Sequence, residues 1–122
     1  MKPSKSSRDW SFRIKDILQA IDKIEQYTKN MTASEFKKNG LVVDAVIRNF
    51  EIIGEASVYI PHEVRIAYPD VPWKQMTAMR NILIHEYFGV NEGTVWLTVL
   101  ERLPALKQQL LIIDLGQNSS HT

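Results

Sequence analysis

At 122 residues the chain is predicted to form one domain that buries roughly two thirds of its unfolded surface. It has no cysteine, which excludes disulfides and thiolate metal sites, and no apolar run approaches the ~20 residues of a membrane span. The first ten residues are polar and basic with no secretion stretch, so a soluble cytoplasmic protein without a membrane partner is expected.

The net charge of +1 is unevenly spread: residues 1–40 hold nine Lys/Arg against five Asp/Glu, and residues 41–122 hold six against nine. Solvated helix faces with a basic end account for that asymmetry, which permits a nucleic-acid partner without demanding one.

Apolar residues recur at steps of three and four from Asp9 to Lys29 (Trp10, Ile14, Ile17, Leu18, Ile21, Ile24), predicting a first helix with one buried stripe. Thr32-Ala33-Ser34-Glu35 reads as a capping box that opens a second helical region. Gly40 is expected to interrupt it. The stripe Val43, Val46, Ile47, Phe50, Ile53 and Ser57 then carries a helix onward to Pro61, whose ring disfavours helix at Ile60. A short turn of helix is expected over Glu63 to Ala67, followed by Asp70 and Pro72 as start signals for a helix from Trp73 to Tyr87 that stops near Gly89. Asn91 caps a last helix expected to bury Trp96, Val99, Leu100, Leu103 and Leu106, with a kink at Pro104. No period-2 strand pattern occurs, so the reading is an all-α, antiparallel bundle of four to five helices over residues 1–115, with residues 116–122 as a flexible tail.

The residues with the most chemistry are Arg80-Asn81-Ile82-Leu83-Ile84-His85-Glu86-Tyr87. On a straight helix, Arg80 and His85 lie about 140° and about 7.5 Å apart, so they do not share a face. Either the long arginine swings round, or a second copy of the motif faces the first across a symmetry axis. A homodimer is therefore expected. The residue types suit metal-independent RNA cleavage, in which the 2′-hydroxyl attacks its own phosphate. Histidine, with a pKa of about 6.5, moves the proton, and arginine holds the phosphate and stabilises its developing charge. Asn81, four residues before His85, can orient the imidazole or bond the substrate. From spacing alone, however, an arginine, histidine and tyrosine near a helix end are more often surface or cap residues.

Arg48, Glu51 and Glu55 are spaced at three and four, which from spacing alone describes an ion-paired helix face more readily than a catalytic carboxylate pair. Gly54 beside them suggests a close backbone approach. His62 and His121 have no second ligand nearby in sequence, and no metal is expected.

The Arg80–Tyr87 segment, with Pro72-Trp73, Met79 and Phe88 around it, Trp96 and Leu103-Pro104 after it, and the segment Arg48-Asn49-Phe50-Glu51-Ile52-Ile53-Gly54-Glu55-Ala56, resembles the HepT-like family of HEPN-domain proteins from about Trp10 to about Leu111. That family supplies ribonuclease toxins of type VII toxin-antitoxin pairs whose partner is a minimal nucleotidyltransferase. The resemblance implies that Arg80 and His85 are the catalytic pair and that Asn81 is the polar residue beside the arginine. It implies that Arg48 and Glu51 belong to a segment supporting the cleft. It also implies that Tyr87 is a tyrosine the transferase modifies with AMP drawn from ATP, the ribonuclease itself needing no cofactor. An AMP group there would bring charge and bulk to the place where RNA must bind. Two other readings stay open: a non-catalytic nucleotide- or substrate-binding subunit of a nucleotidyltransferase complex, and a dimeric helical scaffold. The joint presence of Arg80, His85 and Tyr87 favours the enzyme, since a passive subunit needs no such set.

Overall fold

A computed structural model describes the backbone of residues 3–85 and 91–119, and the side chains of residues 10–80 and 91–117. The described chain is helical, with no strand among the described residues. Long helices α1 (Pro3–Thr28), α3 (Gly40–Val58), α5 (Trp73–His85) and α7 (Leu103–Ser119) are separated by short ones, α2 (Ala33–Lys38), α4 (His62–Ala67) and α6 (Glu92–Leu97).

The predicted stripe of α1 is buried along its whole length: Ile14, Ile17, Ile21 and Ile24 are at most 1% exposed. Burying each isoleucine contributes roughly 1.5–3 kcal/mol. Two residues past the end of α1, Asn30 adopts φ 64°, a left-handed conformation that asparagine tolerates better than most residues. The capping box then forms as read: the Glu35 N–H donates to Thr32 Oγ1 at 3.1 Å and the Thr32 N–H to Glu35 Oε1 at 2.9 Å.

The break between α2 and α3 falls at Asn39, one residue before the expected Gly40. Asn39 does both jobs there. Its N–H donates to the Phe36 carbonyl and its Oδ1 accepts from the Val42 N–H, so a polar cap rather than glycine freedom sets the boundary. Below α3, Arg65 of α4 donates to the carbonyls of Ser57 (2.6 Å) and Ile60 (3.1 Å), tying α4 to the end of α3. Pro61 precedes α4 at its N-cap. α5 opens without the Asp70 side chain: the Met76 N–H donates to the Pro72 carbonyl at 2.9 Å, and Trp73 Nε1 donates to the Tyr68 carbonyl at 3.0 Å.

α1 packs against α3 and α7, and α3 packs against α5. Lys15 pairs with Asp114 at 2.9 Å, and Lys107 pairs with Asp22 at 3.0 Å and Glu25 at 2.9 Å. As the number rises along α1 it falls along α7, so the two helices are antiparallel. Phe36 of α2 meets Trp96 of α6 with ring centroids 5.0 Å apart, closing that end of the core.

The last helical region departs from expectation at Pro104. Residues Thr98–Arg102 form a π-helical turn, and the Leu103 N–H reaches back to the Thr98 carbonyl. Proline has no N–H for an i−4 partner and its ring crowds that carbonyl, so the chain widens one turn ahead of it. The widened turn also shifts the register. Val99 and Leu103 stay buried, but Leu100, expected in the core, is 53% exposed. α7 then runs to Ser119, so the boundary drawn at Gly116 does not coincide with a helix end.

Candidate functional site

The site is built on the crossing of α3 and α5. A Cβ placed on Gly54 would lie 2.6 Å from Arg80 Cβ, 2.7 Å from its backbone nitrogen and 3.0 Å from its Cα. No real side chain tolerates that approach. Glycine is therefore required because the backbone of α5 lies directly on α3 at this point. The close-approach reading of Gly54 is met, and the residue it meets is the arginine of the motif.

One residue further along α3, Glu55 reaches across the crossing and accepts from Arg80 Nη1 at 2.8 Å. The predicted ladder along α3 is thus split. Arg48 keeps Glu51, at 3.6 Å, while Glu55 turns to the neighbouring helix. The cause is tertiary: once Gly54 brings α5 into contact, a guanidinium lies closer to Glu55 than any cation on its own helix. Arg48 and Glu51 stand on the same outward side of α3 as Glu55, with Arg48 largely exposed, and Asn49 is turned inward, its Nδ2 donating to the Ala45 carbonyl at 2.9 Å.

Arg80 is held in a defined way. Its side chain is 36% exposed, Nη1 is engaged by Glu55, and its enclosed Nε has no acceptor among the described residues. A guanidinium fixed at one nitrogen retains donors in a rigid fork, the geometry that suits a phosphate. The pair itself adds little to stability, because both side chains remain wet enough for solvent to screen their attraction.

α5 continues as helix to His85, so the described backbone keeps Arg80 and His85 at the five-residue spacing, with Asn81 between them. The side chains of Asn81 and His85 lie outside the described residues, as does Tyr87 with the whole of residues 86–90; His121 is outside them too. Spacing alone places Glu55 in a surface ladder, and the family resemblance places its segment beside the cleft, but neither names Arg80 as its partner. The spacing of Glu55 to Arg48 and Glu51 was legible, but no local pattern points to a partner 25 residues away.

Among the described residues, no group of three or more His, Asp or Glu is placed to hold a metal ion, and no helix is long and apolar enough to cross a membrane.

Comparison with known proteins extends the likeness over nearly the whole chain. A Methanocaldococcus jannaschii protein whose name proposes an RNase is 43% identical over 108 residues, covering 88% of this chain and 99% of the relative. A Thermococcus cleftensis protein named probable ribonuclease HepT is 44% identical over 94 residues, 77% of this chain and 86% of that one. A Caldanaerobacter subterraneus protein, also named for a proposed RNase, is 39% identical over 97 residues, covering 80% and 87% of the two chains. No solved structure gives a significant match. The family model described as "Ribonuclease HepT-like" matches residues 17–113, a span that contains both Gly54-Glu55 and Arg80–His85, and the chain belongs to that family.

Proposed function

We propose that this protein is an endoribonuclease that cleaves RNA without a metal through Arg80 and His85, acting as a homodimer and as the toxin of a type VII toxin-antitoxin pair. The observation that carries the reading is the Arg80 guanidinium, fixed by Glu55 over the Gly54 crossing in a chain whose family is a ribonuclease family. Arg80 binds the scissile phosphate and offsets the charge that accumulates on its non-bridging oxygens. His85 takes the proton from the 2′-hydroxyl or returns one to the 5′-oxygen leaving group. The 2′-oxygen–phosphorus bond forms as the phosphorus–5′-oxygen bond breaks, leaving a 2′,3′-cyclic phosphate. Asn81 orients His85 or the substrate, and Arg48 and Glu51 support the cleft from α3. Because positions five apart on one helix diverge by about 140°, a cleft shared between two facing motif helices lets one phosphate meet both residue types.

In the same reading a minimal nucleotidyltransferase, acting as antitoxin, transfers AMP from ATP to Tyr87. Each AMP adds a phosphodiester negative charge two residues beyond His85, where it competes with RNA for Arg80. The alternative, a non-catalytic subunit of such a transferase, shares the partner but needs no cleavage chemistry.

The test is expression of the protein alone beside Arg80→Ala and His85→Ala, with RNA end mapping. Cleavage that survives EDTA, leaves cyclic or 3′-phosphate ends and disappears in both variants supports the reading. Ends carrying 5′-phosphate, or loss of cleavage on chelation, sink it. Intact-mass spectra after co-expression with the transferase should show added AMP that is absent from Tyr87→Phe.

A further inference from the structure

We propose that Tyr59 is a stacking platform for one nucleobase of single-stranded RNA, beside the phosphate site at Arg80. This inference rests on the ribonuclease reading and names a contact that the Arg80–His85 motif does not supply. Tyr59 follows Glu55 by four residues at the end of α3, so it lies about one turn and about 6 Å further along the same outward stripe. Glu55 is the residue in contact with Arg80. The exposed ring thus stands about one helical turn from the carboxylate that holds the Arg80 guanidinium.

The ring is held rather than loose. The Arg13 guanidinium of α1 sits 4.1 Å from the Tyr59 ring centroid, a cation–π contact that fixes the ring from one side, while Tyr59 remains 52% exposed. A tyrosine serving the core would be buried, and its neighbours Ile60 and Val64 already do that. Asp16, 4.0 Å from Arg13, tempers the positive charge, and Glu51 and Glu55 share the outward stripe. Each of these carboxylates is paired with an arginine, Asp16 with Arg13, Glu51 with Arg48 and Glu55 with Arg80, so the stripe carries no excess positive charge to draw in a phosphate backbone along α3. The surface therefore favours contact through an uncharged base, for which a fixed aromatic face is the suitable partner. Stacking is tolerant of base identity, so this contact adds affinity without a sequence code.

The experiment measures binding of a fluorescein-labelled single-stranded oligoribonucleotide by anisotropy, in a His85→Ala background that leaves the substrate uncut. Tyr59→Ala should weaken binding about tenfold, and Tyr59→Phe, which keeps the ring, should restore it. In a series of oligonucleotides with one abasic position each, one position should weaken binding to the ring-bearing protein and erase its difference from Tyr59→Ala. Arg13→Ala removes the backing cation, and with it the partner of Asp16, while keeping the ring, and should give a smaller loss, which keeps the idea testable if Tyr59→Ala does not fold. Unchanged affinity in Tyr59→Ala, a loss that Phe does not rescue, or a loss that persists at every abasic position would overturn it. If the ring-dependent binding holds while protein with native His85 cuts no RNA, the ribonuclease reading fails and the platform stands.

Discussion

Two helix contacts in this molecule use the same kind of ion pair for different ends. Along the α1–α7 seam, Lys15–Asp114 and Lys107 with Asp22 and Glu25 flank an apolar strip in which Leu18 and Leu110 are buried. At the α3–α5 crossing Gly54 brings the backbone of α3 directly against Arg80, and Glu55–Arg80 spans the contact at its edge. In the seam, burial of hydrocarbon supplies the stability and the charges set direction and register. At the crossing, the helices give up the side-chain packing a larger residue would supply, and an arginine is held at a fixed place on the surface.

That contrast can be broken most forcefully in the seam. Leu110→Ala removes a fully buried side chain and should lower unfolding free energy by about 2–5 kcal/mol in urea melts, with RNA cleavage per folded molecule nearly unaltered. A loss of cleavage without a loss of stability would show that the seam does more than hold the fold.

Gly54→Ala should cost about 1–3 kcal/mol, because α5 must shift away from the new methyl group. Since the displaced residue is Arg80, cleavage should fall further than the folded fraction does. Equal losses of activity and folded protein would mean that the close approach serves packing alone.

Glu55→Gln keeps the shape of the side chain and removes its charge. Stability should change by less than about 1 kcal/mol, while kcat/KM should fall about tenfold, with partial recovery in Glu55→Asp. A rise in kcat/KM would instead identify Glu55 as a competitor of the phosphate.

The smallest effect belongs to Lys107. Its hydrogen bonds with Glu25 and then Asp22 raise its pKa above the ordinary 10.5. A raised folded-state pKa means that this pairing contributes fully below about pH 10.5 and is lost as pH climbs through the folded value. Lys107→Met should therefore cost under about 1 kcal/mol at pH 8, and the difference from the unaltered protein should shrink at pH 11. A difference that persists at pH 11 would assign the effect to packing of the lysine stem.

The sequence by itself determined what depends on near neighbours. The isoleucine stripe of α1 follows from 3.6-residue periodicity, and the Thr32–Glu35 box from donors and acceptors three residues apart. The presence of Arg80 and His85 on one helix is likewise local, and the family resemblance is carried by short contiguous segments. Local rules also marked Asn39–Gly40 and Pro104 as irregular, but not the form of the irregularity: a side-chain cap moved one boundary by a residue, and a π turn rotated Leu100 out of the core. Only the tertiary structure decided what meets across helices. Gly54 against Arg80, Glu55 taken from the Arg48–Glu51 pair, and Arg13 over Tyr59 each join residues 25 or more positions apart, and such pairs form only after packing has brought their helices together. Side-chain charge and shape are written in the chain, but the distance between two such groups is fixed by the packing of everything else.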